Sequence, residues 1–141
     1  MRERTLVLIK PDAVAHHDVG AILQMYEQKG LHILAMRMLQ MNEALAAKHY
    51  AEHVGKSFYK NLVAFMTSGP LIALVLEGEN AIQVVRDLNG KTDPHEAAEG
   101  TIRRRFASSK QMNAVHGSDS PESAAREVYV FFSEAEIFDE I

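Results

Sequence analysis

His116 is followed by Gly117, Ser118, Asp119 and Ser120: an imidazole beside a flexible glycine, then small polar residues, then a helix start at Ser120-Pro121-Glu122. A neutral imidazole is a competent nucleophile near pH 7, because its ordinary pKa is about 6.5. It needs an orienting partner. Ser118 and Glu127 are the near candidates, with Glu127 about two helical turns past the capping serine. The same residues fit equally well a polar loop that happens to hold a histidine.

A second group could bind an anion. Lys10 stands at a strand end, Arg86 falls late on a helix and off its apolar stripe, and Thr92, Arg103 and Asn113 lie in one long loop. Guanidinium groups take phosphate bidentately and lysine offers a point charge. Singly, each of these residues is a solvated surface group; only convergence would make a site. Tyr50 and Phe58 flank the loop after the second strand, where a ring could stack on a base or simply belong to the core.

Two tripeptides, Gly55-Lys56-Ser57 and Gly90-Lys91-Thr92, suggest a P-loop. That loop needs a glycine five residues earlier, so that backbone amides can wrap the phosphates. Those positions hold Tyr50 and Val85. Any nucleotide must therefore be held by side chains. His16-His17-Asp18 has metal-ligand chemistry, but adjacent residues do not easily converge on one ion, and it reads as a loop.

These residues must be positioned by a chain of 141 residues, about one domain, spanning 1–141. It is 47% apolar and 24% charged, which fits a globular class and excludes a disordered one. A net charge of -4 argues against a bulk nucleic-acid binder. The absence of cysteine excludes disulfides and thiolate metal sites. The apolar stretch Leu6–Ile9 is too short for a signal core or a membrane span, so a cytoplasmic protein is expected.

Apolar runs predict strands at Thr5–Ile9, Leu71–Leu76 and Val128–Phe132, and an apolar stretch with polar interruptions predicts another at Leu31–Met41. Helices are expected on the Val19, Ile22, Leu23, Tyr26 stripe, stopped by Gly30; from a capping Asn42 to about His53; over Tyr59–Met66; from a capping Asn80 to Leu88; and from Ser120 to Glu127. The acidic tail after Ser133 has room for a short terminal helix. Residues 90–117 form a long polar connection of the kind that is usually functional. Strands interleaved with helices predict an α/β (α+β) sandwich. A doubled β-α-β, ferredoxin-like unit fits this length: a four-stranded antiparallel sheet with helices on one face and the long loop before His116.

The segments Thr5-Leu6-Val7-Leu8-Ile9-Lys10-Pro11-Asp12-Ala13-Val14 and Asn113-Ala114-Val115-His116-Gly117-Ser118-Asp119-Ser120 together resemble nucleoside diphosphate kinase. So do His49-Tyr50, Phe65-Met66-Thr67-Ser68-Gly69-Pro70, Gly90-Lys91-Thr92-Asp93-Pro94 and Gly100-Thr101-Ile102-Arg103, and the likeness covers nearly the whole chain. It implies a ping-pong transfer of the γ-phosphate, mainly of ATP, to a nucleoside diphosphate, through a phosphohistidine at the pros nitrogen of His116. Lys10, Tyr50, Arg86, Thr92 and Arg103 would surround the phosphates, Lys10 and Asn113 would reach the ribose, and Phe58 would stack on the base. Ser118 and Glu127 would orient the histidine. Mg²⁺ would ride on the nucleotide phosphates, with Asp119 holding one of its waters. The resemblance also implies low base specificity and a homo-oligomer, a tetramer or hexamer rather than a dimer, a state that apolar tail residues Ile137, Phe138 and Ile141 would suit.

The chain departs from the family pattern in two places. Arg104 and Arg105 replace a small residue and an aspartate, and Lys110 replaces an apolar residue that faces the base. The lysine stem can still cover a base. Affinity is expected to change modestly and turnover to survive. An RNA-binding module of the same fold would carry aromatics on the central strands, and Thr5–Ile9 and Leu71–Leu76 contain none. A family member that kept the fold without the chemistry would not be expected to retain His116, Lys10, Arg86, Arg103 and Asn113.

Overall fold

The computed structural model describes residues 1–139. Four strands, β1 Arg2–Ile9, β2 His32–Leu39, β3 Leu71–Glu79 and β4 Val115–Gly117, form one antiparallel sheet in the order β2-β3-β1-β4. Among the described residues seven helices accompany it: α1 Pro11–Ala15, α2 Val19–Gln28, α3 Glu43–His49, α4 Tyr59–Met66, α5 Ala81–Asn89, α6 Ile102–Phe106 and α7 Pro121–Phe131, with short 3-10 turns at Ala51–His53 and Glu134–Glu136.

The helices cover both faces of the sheet, not one. Leu6, Leu8, Ala73 and Val75 pack with Ala46 of α3, Met66 of α4 and Val128 and Phe131 of α7. Val7, Ile9, Leu74 and Leu76 pack with Ile22 and Tyr26 of α2, Val85 of α5 and Ile102 of α6. The central strands already carry the reason. Leu6–Ile9 and Leu71–Leu76 are apolar at successive positions, and a strand with one wet face would alternate. Burying such side chains contributes roughly 1.5–3 kcal/mol each, so leaving one face open would forgo half of that gain.

The fourth strand is Val115–Gly117, inside the long connection, and Val128–Phe132 belongs to the end of α7. The β-branched and aromatic residues there favour a strand locally, but Ala124, Val128 and Phe131 form a helical stripe buried on the sheet. The true strand has three residues, too few to show a period. Within the same connection Thr101 caps α6, accepting from the Arg104 N–H at 3.3 Å.

Asn42 caps α3 as its type suggests, accepting from the Leu45 N–H at 2.8 Å. Asn80 does not cap α5. It sits in the left-handed region at φ 51° with no capping side-chain bond, and Glu3 of β1 instead accepts from the Ile82 N–H at 3.3 Å. Ile137 of the tail is buried in the chain's own core, Phe138 is exposed, and Ile141 lies outside the described residues.

Candidate active site

Lys10 leaves the end of β1 and stands at the N-cap of α1, where Pro11 occupies the first helical turn and ends the strand ladder. Its side chain is buried and its Nζ donates to Asn113 Oδ1 at 2.8 Å. Asn113 in turn donates through Nδ2 to the Lys110 carbonyl at 2.8 Å. Burial foremost, and then the Arg103 charge, push the Lys10 ammonium down to about 8, with Asp12 opposing.

β4 sets His116 opposite Leu8 of β1, half-buried. Its Nε2 lies 2.7 Å from Glu127 Oε1, and the Ser118 hydroxyl donates to the same oxygen at 3.0 Å. Glu127 is buried and faces inward because α7 continues through it. A carboxylate can only accept here, so Nε2 carries the proton and Nδ1 keeps its lone pair. The next residue must be glycine: a Cβ on Gly117 would lie 2.8 Å from Val85 Cγ1 of α5.

These groups open on one cleft of about 810 Å³, lined by Lys10, Tyr50, Arg86, Thr92, Arg103, Asn113, His116, Asp119 and Glu127 among others. Arg103 is braced by two backbone oxygens, donating to Gly90 at 2.7 Å and Val115 at 2.9 Å. Burial holds the Tyr50 phenol well above its usual range, Glu127 adding to it, so the hydroxyl stays a donor. The Asp119 carboxylate is held below its usual range by the Ser123 hydroxyl foremost, burial opposing it and Ser120 and Arg86 adding to it.

Nine of the expected residues thus meet in one cleft. Ser118 lies fully buried behind Glu127 and does not line it. Phe58 is not in the lining either; its ring is 48% exposed and stands 5.3 Å from that of His53, which is. Lys110 lines the cleft, whereas Arg104 donates to the His95 carbonyl at 3.3 Å and Arg105 lies over the Phe106 ring at 4.7 Å, both side chains exposed and outside the lining.

Sequence reasoning assigned no role to His49, His53, Asn89 or Arg126, which also line the cleft. His49 is buried, its ring stands 4.8 Å from that of His116 at 84°, and neither nitrogen has a hydrogen-bond partner among the described residues. Burial above all, then His116 and the nearby cations, keep it neutral. Its position three residues after buried Ala46 on α3 was the only local sign of its inward face. Among the described residues, His49, His116 and Glu127 form the one group with metal-ligand spacing, and His16-His17-Asp18 forms none. Two imidazoles do not suit Mg²⁺, which prefers oxygen.

The family model described as nucleoside diphosphate kinase matches residues 3–137. The chain belongs to the nucleoside diphosphate kinase family. It is 53% identical over 139 residues to the nucleoside diphosphate kinase of Methanocaldococcus jannaschii, covering 99% of each chain. It is 59% identical over 132 residues to that of a Nocardioides species, covering 94% of this chain and 98% of the relative. The Aquifex aeolicus nucleoside diphosphate kinase structure superposes with a TM-score of 0.95 at 44% identity, covering 97% of this chain and 99% of that one. The Halobacterium salinarum enzyme, solved in complex with CDP, gives 0.96 at 41% identity, covering 100% and 94%. The chain is an enzyme that transfers phosphate from ATP to nucleoside diphosphates.

Proposed function

We propose that His116 carries the phosphoryl group between the two nucleotides. Its Nδ1 lone pair attacks the γ-phosphorus, an N–P bond forms, and the bond to the β-phosphate oxygen breaks, leaving a diphosphate. A second diphosphate then attacks the phosphohistidine and regenerates the free imidazole. Glu127 holds the Nε2 proton throughout and offsets the positive charge that develops on the ring. The observation that carries this reading is the 2.7 Å contact between His116 Nε2 and Glu127. If the phosphoenzyme isolated after incubation with ATP returns no triphosphate when chased with a diphosphate, the two-step route is wrong.

Lys10, Arg86 and Arg103 neutralise the phosphates, with Tyr50 and Thr92 donating hydroxyls. Asn113 and Lys10 reach the ribose, and Phe58 lies against the base from beside His53. Clamping on phosphate and sugar, with stacking on the base, supports low base specificity, since every base offers a π-face. Mg²⁺ fits as a passenger on the nucleotide phosphates, with the Asp119 carboxylate of the cleft lining holding one of its waters. When bound, it neutralises phosphate charge.

Lys10 gives a pH signature. With the free enzyme's ammonium at about 8, binding above that pH must recapture a proton to restore the cation that phosphate needs. Nucleotide affinity should fall as pH rises above 8, and calorimetry at pH 9 in two buffers should show proton uptake; zero uptake would count against this role. The stability sign is opposite. Between about 8 and the unfolded value of 10.5 the unfolded chain binds the extra proton, so stability gains with pH across that window.

Lys110→Val should change nucleotide KM less than about tenfold and leave kcat near native, because only the lysine stem covers the base. Arg105→Asp should do still less, since its side chain lies outside the cleft lining. A large rate gain in either variant would show that the native residue impairs the site.

A homo-oligomer, tetramer or hexamer rather than dimer, suits the exposed Phe138 and the exposed Met36 and Met38 on the sheet-edge strand β2. Light scattering at working concentration should give at least a tetrameric mass; a monomer would refute it. No helix of the described residues is long and apolar enough to cross a membrane, which together with the lack of cysteine supports a cytoplasmic site of action.

A further inference from the structure

The peptide between Asn113 and His116 takes an unusual path. Ala114 has a φ of 73°, a region that few residues other than glycine enter. The Val115 N–H donates across it to the Asn113 carbonyl at 2.8 Å. This closes a three-residue γ-turn of the positive-φ kind, which is rare and strained. Such a backbone persists only where its surroundings over-determine it.

Two groups do so. Asp12 Oδ2 accepts from the Ala114 N–H at 3.0 Å, and the Lys10 N–H donates to the Ala114 carbonyl at 2.8 Å. Asp12 is 5% exposed and Ala114 fully buried, so water does not substitute for either bond. Asp12 Oδ1 is buried with no partner among the described residues. Burying an under-bonded carboxylate works against folding, and a residue serving stability alone would not need it. On one side of the turn Asn113 holds Lys10 Nζ; on the other, Val115–Gly117 pairs with β1 and carries His116.

We propose that Asp12 is a positioning residue for phosphoryl transfer: its carboxylate holds the γ-turn at Ala114, and that turn sets together the Asn113 clamp on Lys10 and the placement of His116. Asp12 does not line the cleft, so it acts through the turn and not on the nucleotide. The inference rests on His116 being the nucleophile.

The test is the single-turnover rate of His116 phosphorylation by ATP, beside steady-state kcat and KM, in folded protein. Asp12→Ala should slow phosphorylation about one hundredfold, the scale of a 1 Å misplacement, with the loss in kcat more than in KM. Asp12→Asn keeps an acceptor oxygen and should stay within about tenfold of native. Adding Ala114→Gly to Asp12→Ala should recover about tenfold, because glycine takes a positive φ without penalty; the double variant should remain about tenfold below Ala114→Gly alone. A merely structural role would let that glycine raise the melting temperature without restoring the rate. If Asp12→Ala does not fold, the comparison of the double variant with Ala114→Gly decides, and equal rates there overturn the proposal. It is also overturned if Asp12→Ala phosphorylates at the native rate, or if Asp12→Asn is as impaired as Asp12→Ala. A native enzyme that fails to phosphorylate His116 would remove the nucleophile assignment and this inference with it.

Discussion

Replacing His116 with alanine should abolish phosphoryl transfer, lowering kcat by at least about 10⁴-fold, the scale seen when a covalent nucleophile is deleted. The native enzyme incubated with ATP should acquire an acid-labile, base-stable phosphate, and His116→Ala should acquire none. The reasoning is local. Glu127 accepts a hydrogen bond from His116 Nε2–H, the ring is half-buried at the wall of a cleft lined by Lys10, Arg86 and Arg103, and Nδ1 is left as the atom proposed to attack. Among the described residues, His116 is the one imidazole of the lining that is hydrogen-bonded to a carboxylate. Burial keeps His49 neutral, but both its nitrogens are buried and without a partner among the described residues. Persistence of the phosphate in His116→Ala would therefore sink the assignment. The substitution should fold, because the side chain is only partly buried in a three-residue strand.

Glu127→Ala should cost about 10²–10³-fold in kcat, and Glu127→Gln about tenfold. The two substitutions remove different things. Alanine frees the imidazole to rotate and to exchange tautomers, so Nδ1 holds the proton part of the time. Glutamine can still accept from Nε2 and from the Ser118 hydroxyl through its amide oxygen, which preserves orientation and loses only the charge that stabilises a cationic ring. The ordering Ala below Gln is the diagnostic result. Equal rates for the two would place the whole effect in charge and leave orientation without a role. Ser118 sits 3.0 Å from the same oxygen, so its removal should have a smaller effect in the same direction.

The local chemistry of the site was legible to different degrees. The Ser120-Pro121-Glu122 helix start survives intact, with Ser120 Oγ accepting from the Ser123 N–H at 3.1 Å. Capping chemistry acts over three residues, and that is why it reads from sequence. Asn80 fails the same test because Glu3, far away in the chain, takes over the first turn of α5. Val128–Phe132 has residue types that favour extension, whereas packing of Ala124, Val128 and Phe131 on the sheet keeps it helical. The difference matters for function. A helix ending at Glu127 followed by a strand would not have fixed the carboxylate on His116, and it hid the three-residue strand that carries the histidine.

The sequence by itself determined which groups exist and which of them can react: an imidazole beside a glycine, cations at element ends, a carboxylate within reach along one helix, and no P-loop to hold phosphate by its backbone. Side-chain chemistry is intrinsic, so residue type and spacing suffice for that much. Only the tertiary structure decided that Lys10, Asn113 and His116 meet, because β1 and β4 pair across more than one hundred residues of chain. It also decided that His49 lies against His116, that Phe58 stays out of the cleft lining, and that Ala114 is bent into a γ-turn over Asp12. Those outcomes depend on contacts between distant segments, whose energies no local window contains.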